Sequence, residues 1–341
     1  MELTTVWFVL IAFLWIGYFV LEGFDFGVGM LLHALGRDDR ERRVVVNTIG
    51  PHFDGNEVWL ITAGGATFAA FPEWYATLFS GFYLPLLLVL VALIVRLVAI
   101  DYRSKRRELV WRQRWDVAIT ISSALPALLW GVAFGNLVRG VPIDADHEYA
   151  GGFWNLLNPF ALLAGLVTLT LFLTHGAVFV ALKTDGVVRQ RAAAVAARVG
   201  VLTAVLTVTF LLWANLRHGS GPTYVTSLVA AGGLLGGLAA LRRGREGWAF
   251  AGTAACIAFL FASIFLALFP AVMPSSLDPT WSLTTTNASS TPYTLTIMTW
   301  AAAIATPVVL GYQAWTYWVF RRRLTVAHVP DDALHPQPAA R

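Results

Sequence analysis

Two carboxylates stand in an apolar stretch where charge is costly. Glu22 and Asp25 lie in "FVLEGFDFGVGML", Phe19 to Leu31, which continues "VWFVLIAFLWIGY" without a break. Their i,i+3 spacing puts both on one face of a helix. At a rise of about 1.5 Å per residue, Asp25 lies roughly 27 Å along that helix from Trp7, and Arg37 lies about 18 Å further on. A carboxylate deep in a bilayer costs on the order of 3 kcal/mol, so the pair must face protein, water or a partner. Titratable groups held at such depth are suited to passing protons.

A second cluster lies in "GPHFDGNEVWLITAGGATF", residues 50–68, where another apolar run begins. It holds His52, Asp54 and Glu57. Asp54 and Glu57 have two readings. One is a capping box, with Asp54 accepting from first-turn amides. The other is the inner mouth of a relay that continues to Asp25 and Glu22. His52 is expected at the interface, and Arg96 and Asp101 near the inner surface, snorkelling or paired. His175 lacks a second His at matching depth to share a six-coordinate haem; His33, the nearest, falls close to the inner interface. Cys256 is the only cysteine, so no disulfide or Cys-ligated cluster forms within the chain.

The elements that position these residues follow from composition. The chain has 341 residues, 57% hydrophobic and 13% charged, with mean hydropathy +0.65. Soluble globular domains carry about 25% charged residues. Apolar runs fall at 6–34, 57–72, 76–100, 117–138, 155–182, 199–216, 225–241, 248–270 and 294–320. They are too long and too uniformly apolar for barrel strands. The reading is an all-α polytopic membrane protein with about nine transmembrane helices, of which the second and seventh runs are short. The expected organisation is a four-helix bundle over 1–138, a second over 155–270, a peripheral helix over 294–320 and a disordered tail over 324–341.

Of 24 Lys and Arg, 21 fall in segments 35–56, 101–116, 183–198, 242–247 and the tail from 321. The positive-inside rule then puts the N-terminus outside and the C-terminus in the cytoplasm. The pI of about 9.4 reflects this asymmetry and does not indicate nucleic-acid binding. No Lys or Arg precedes Trp7, and the first apolar run is too long for a cleaved signal peptide. Gly23 and Gly27, and "GGLLGG" at 232–237, mark close helix contacts.

Longer motifs carry a resemblance. "GFDFGVGML", "RRVVVNTIGPHFDGNEVWLITAGGATFAAFP", "SGFYLPLLL", "DYRSK", "GVAFGNLVRGVP" and "LLNPFALLAGL" occur in order. Together they resemble subunit II of the cytochrome bd quinol oxidases, densely from about residue 15 to 185. The resemblance implies a haem-free subunit of a bacterial inner-membrane complex that takes electrons from quinol and reduces O₂ to water. Its partner, subunit I, would carry three haems, two b-type and one d-type. Some members hold a structural quinone in subunit II, and small single-helix subunits accompany some complexes. The resemblance also implies that Asp25 of "GFDFG" and Asp54 of "HFDGN" line a proton pathway from the cytoplasm; from their positions, Glu22, one turn from Asp25, and Glu57 are expected to belong to the same pathway. Trp59 of "NEVWL" matches a residue near an O₂ route. The alternative is a proton-coupled secondary transporter, since buried carboxylates and Gly-rich helices suit that class as well.

Overall fold

The structure, a computed structural model, describes residues 2–328. Nine long helices dominate it: α1 (Leu3–Met30), α2 (Phe53–Ala70), α3 (Tyr83–Arg103), α4 (Leu109–Arg139), α5 (Pro159–Lys183), α6 (Gly186–His218), α7 (Gly221–Arg242), α8 (Glu246–Leu268) and α9 (Pro292–Val319). All but α2 are long and apolar enough to cross a membrane. α2 has 18 residues, but its first turns, "FDGNE", are polar. The chain is therefore an all-α polytopic membrane protein.

Helix ends follow local chemistry rather than the limits of the apolar runs. Pro72 has no amide hydrogen and forces the residue before it out of the helical region. Phe71 accordingly sits at φ −134°, ψ 70°, ends α2 and starts a separate helix, Pro72–Gly81. The runs expected over 57–72 and 76–100 thus become three helices. The expected loop 183–198 is largely helical. After Asp185, whose side chain accepts from the Gly186 amide, α6 runs 33 residues and carries Arg189, Arg191 and Arg198 on its first turns. Bonding continues past α9 into the predicted tail, where the Leu324 amide donates to the Lys183 carbonyl at 2.7 Å. Residues 329–341 of that tail lie outside the described residues.

α5 is the axis of the molecule: 78% of its apolar window is buried, and it packs against α1, α4, α6 and α8. Only 6% of α9's window is buried. The Gly23–Gly27 expectation is met against α5. A Cβ on Gly27 would lie 2.0 Å from the Phe172 carbonyl oxygen and 2.7 Å from the Gly176 Cα. The "GGLLGG" segment of α7 likewise lies against Gly252 of α8.

Aromatic rings fill the layer on the N-terminal side of Glu22. Phe19 stacks on Phe261 at 3.9 Å between centroids, and Phe134 meets Phe19 edge-on at 5.2 Å. Trp15 meets Trp130 at 5.1 Å. Tyr18, fully buried, accepts from the Trp130 indole at 3.3 Å. The ends of the bundle on this side are covered by residues 140–158 and 269–291. Strands β1 (Ala271–Met273) and β2 (Leu283–Thr284) pair there antiparallel, and the Val141 amide bonds the Pro274 carbonyl.

The opposite, basic end is tied by ion pairs. Arg103 bonds Asp116 at 2.5 Å and Asp39 at 2.8 Å, Arg112 pairs with Asp39, and Arg42 reaches Asp116 at 3.2 Å. Arg191 of α6 bonds Glu41 at 2.5 Å. Burial alone would push the Glu41 carboxyl up, but the hydrogen bonds from Arg191 and the Arg37 amide outweigh it and hold it below the ordinary value.

Candidate functional site

Glu22 and Asp25 are both fully buried. The expected shared face exists, and each carboxylate has its own partner set. Glu22 pairs with Arg96 of α3, itself 1% exposed. The same guanidinium reaches Glu57 of α2 at 3.0 Å. Its planar face lies 4.3 Å from the Phe26 ring centroid and 4.7 Å from that of Phe53, where the ring quadrupoles favour a cation. Arg96 therefore does not snorkel. A Lys or Arg inside a membrane is tolerated when paired, and here one cation serves two carboxylates.

Asp25 has an amide partner instead. The Asn56 Nδ2 donates to Asp25 Oδ2 at 2.7 Å. The Asn56 Oδ1 in turn accepts from Gln313 Nε2 at 2.9 Å and from the Tyr317 hydroxyl at 3.0 Å, both on α9. His52 is buried, 2% exposed, and stacks on Tyr317 at 4.1 Å with an interplanar angle of 2°. It is packed inside the protein at the start of α2 rather than turned outward. The little-buried α9 is thus held to the body partly through polar contacts around Asn56.

The capping box does not form. The chain already turns before α2, with the His52 amide bonded to the Ile49 carbonyl at 2.8 Å. The N-cap is His52 and makes no side-chain cap. Asp54 therefore comes too late to cap and sits exposed on the first turn. Glu57, three residues on, turns inward to Arg96. Of the four acidic residues expected to act together, the structure joins Glu22 and Glu57 through Arg96. Asp25 lies one turn from Glu22, and Asp54 stays at the surface.

Several buried polar atoms in this cluster have no protein hydrogen-bond partner: Asp25 Oδ1, Glu22 Oε2, Arg96 Nε and Nη1, and His52 Nδ1. Buried polar groups in folded proteins are nearly always satisfied, by protein or by ordered water. Orphans of both signs within one cluster mark a place where water is needed.

Trp59 packs flat over Gly17; a Cβ there would lie 2.2 Å from the Trp59 ring. The Phe13 ring lies 5.9 Å from it. His175 is fully buried, with Nδ1 2.7 Å from the Thr253 hydroxyl and Nε2 3.2 Å from the Val20 carbonyl. Both ring nitrogens are engaged, so the residue does not fit a haem axial ligand. Among the described residues, no group of three or more His, Cys, Asp or Glu side chains is arranged to hold a metal ion.

Residues 3–320 match the family model described as cytochrome bd terminal oxidase subunit II. The cytochrome bd ubiquinol oxidase subunit 2 of Bacillus subtilis is 41% identical over 333 residues, 95% of this chain and 97% of that protein. The cytochrome bd-I ubiquinol oxidase subunit 2 of Escherichia coli K12 is 40% identical over 358 residues, 94% of each chain. In fold, the chain is similar to one from the bd oxidase of Geobacillus thermodenitrificans, with TM-score 0.78 and 17% identity over 94% of this chain and 99% of that one.

Proposed function

The chain belongs to the cytochrome bd terminal oxidase subunit II family, and from that premise we propose that its buried acidic cluster delivers protons for the reduction of O₂ to water. It is a multi-pass inner-membrane subunit of a quinol oxidase complex, and the family places the haems in the partner, subunit I. The transporter alternative has no support from these relatives. Electrons pass through the partner, and we route no redox or quinone step through this chain. The exposed apolar face of α2, with Ile61 and Phe68, offers area for subunit I. Lipid or a small single-helix subunit would cover α9.

Reduction of O₂ consumes protons as well as electrons, and an apolar helix bundle does not pass protons unaided. Asp54, exposed at the basic end, stands at the mouth. Glu57, its side chain 22% exposed, leads inward to Arg96 and the buried Glu22. Asp25 holds one oxygen on Asn56 and keeps the other unpartnered. That unpartnered oxygen, one turn from a second buried carboxylate, is the observation that carries the proposal. A carboxyl group with a free oxygen can take a proton from water on one side and release it on the other. Arg96 keeps Glu22 and Glu57 from repelling each other.

Asp25→Asn tests it. The amide keeps the shape and can still bond Asn56, but it cannot exchange an acid proton. Oxygen consumption by the intact complex should fall roughly tenfold or more, with haem content and assembly unchanged. Asp54→Asn should act the same way but more weakly, because water at the mouth substitutes. Full oxygen consumption by a normally assembled Asp25→Asn complex, from weakly acid to weakly alkaline pH, would show the carboxylate to be structural.

We also place Trp59 beside the O₂ route. Its ring fills the space over Gly17 on α1, and the resemblance that places its motif near the O₂ route supports this reading. Trp59→Ala is expected to leave haem content intact and to change the apparent affinity for O₂. A loss of stability or haem, with the O₂ affinity of the surviving enzyme unchanged, would mean that Trp59 only packs the α1–α2 contact.

A further inference from the structure

At the basic end, away from the acidic cluster, a cavity of about 370 Å³ opens between helix Asp39–Asn47, the end of α3 and the start of α4. Arg43, Arg103, Arg107 and Arg112 line it, and no carboxylate does. Its volume falls within the range of small-ligand pockets, roughly 300–1,000 Å³, and exceeds what a bare inorganic phosphate fills.

The arginines differ in role. Arg103 and Arg112 are buried, and their guanidinium groups are aimed by Asp39 and Asp116, which stand behind the cavity wall. These two carboxylates already serve three cations, counting Arg42. Arg43 has no carboxylate partner among the described residues, and Arg107 lies exposed at the rim. With three cations on two carboxylates and Arg43 besides, the cavity keeps an excess of positive charge. Guanidinium forks held in place suit phosphate oxygens, which they bind in bidentate pairs.

One wall is apolar. Val46 and Ile100 line it, and Leu97, one turn before Ile100 on α3, and Ile94, a turn further, are exposed. A ligand here meets cations at one end and a lipid-facing helix at the other. We propose that the cavity holds the phosphodiester headgroup of an anionic membrane lipid, with its acyl chains laid along α3. Basic pockets between membrane helices on the positively charged side are suited to such headgroups. The same arginines would accept soluble phosphate, but the apolar wall and the volume favour the lipid.

The test uses the intact oxidase complex, delipidated and then titrated with phosphatidylglycerol, phosphatidylcholine or inorganic phosphate, with bound ligand read by native mass spectrometry. The wild type should retain phosphatidylglycerol in preference to phosphatidylcholine. Arg43→Gln/Arg107→Gln, which spares the arginines that hold Asp39 and Asp116, should weaken phosphatidylglycerol retention about tenfold or more. Arg43→Lys/Arg107→Lys should lose less, and an unchanged haem spectrum shows that each variant has assembled. Equal retention of phosphatidylglycerol in the wild type and the Gln double variant overturns the site. Arginine-dependent binding of inorganic phosphate with no preference between the two lipids overturns the lipid assignment.

Discussion

Arg96→Met is expected to cost about 3–5 kcal/mol, enough to remove most of the assembled complex. The loss does not come from one broken ion pair. Arg96 is the shared cation of Glu22 and Glu57, so its removal leaves Glu22 buried without a counter-charge and Glu57 half-buried beside it. Burying a charge unpaired is far costlier than never having the pair. The double variant Arg96→Met/Glu22→Gln should therefore recover much of the lost stability, although it lacks more native groups. Thermal unfolding of the purified complex, followed by haem release, measures both variants. Should Arg96→Met unfold at the wild-type temperature, the cation contributes nothing and the cluster is held by packing alone.

Gly27→Leu should abolish assembly. A single Cβ at Gly27 already overlaps the Phe172 carbonyl, and the next nearest atoms belong to the Gly176 backbone. Backbone atoms of a packed helix cannot swing aside as a side-chain tip can, so α1 and α5 must separate. Overpacking typically costs about 1–3 kcal/mol where side chains can yield, and here none can. Because α5 is the most buried helix, the separation also loosens its contacts with α4, α6 and α8. Gly236→Ala is the control: nothing lies within 4 Å of its Cβ position, and it should assemble normally. Chain yield in complex with the partner distinguishes the two. Normal assembly of Gly27→Leu would mean that the close α1–α5 approach is dispensable.

Much of this was legible in the sequence because the bilayer imposes long apolar runs, and the close contacts at Gly27 and at the 232–237 glycines followed from small residues. Helix limits were not legible. The basic segment 183–198 is polar, yet polarity does not stop a helix, and α6 extends through it. At 71–72 the break was written in Pro72, but the surrounding apolar residues masked it. Of the acidic cluster, the sequence identifies Glu22 and Asp25 as needing partners without saying which. Arg96 is 74 positions from Glu22, and Gln313 and Tyr317 are more than 250 from Asn56. Their complementarity exists only once the helices are side by side. One signal was available: Arg96 is the one cation within the apolar runs 57–72 and 76–100, and it faces two unpaired acids in the same membrane.

The aromatic layer formed by Trp15, Phe19, Trp130, Phe134 and Phe261 has an electrical consequence. Stacked rings with few polar atoms are a poor conductor and a weak dielectric, whereas on the proposed pathway the acidic cluster, with its buried atoms lacking protein partners, connects to the basic end. A transmembrane voltage falls mainly across the layer of lowest dielectric constant, where few charges, dipoles or waters can respond. On that pathway the drop is concentrated over the ring layer, and Glu22 and Asp25 sit close to the potential of the basic end. Carrying one elementary charge through a full 100 mV takes about 2.3 kcal/mol. A proton that reaches Asp25 from the basic end crosses only a small part of that field. Any electrical work in this half of the membrane is left to steps beyond the rings.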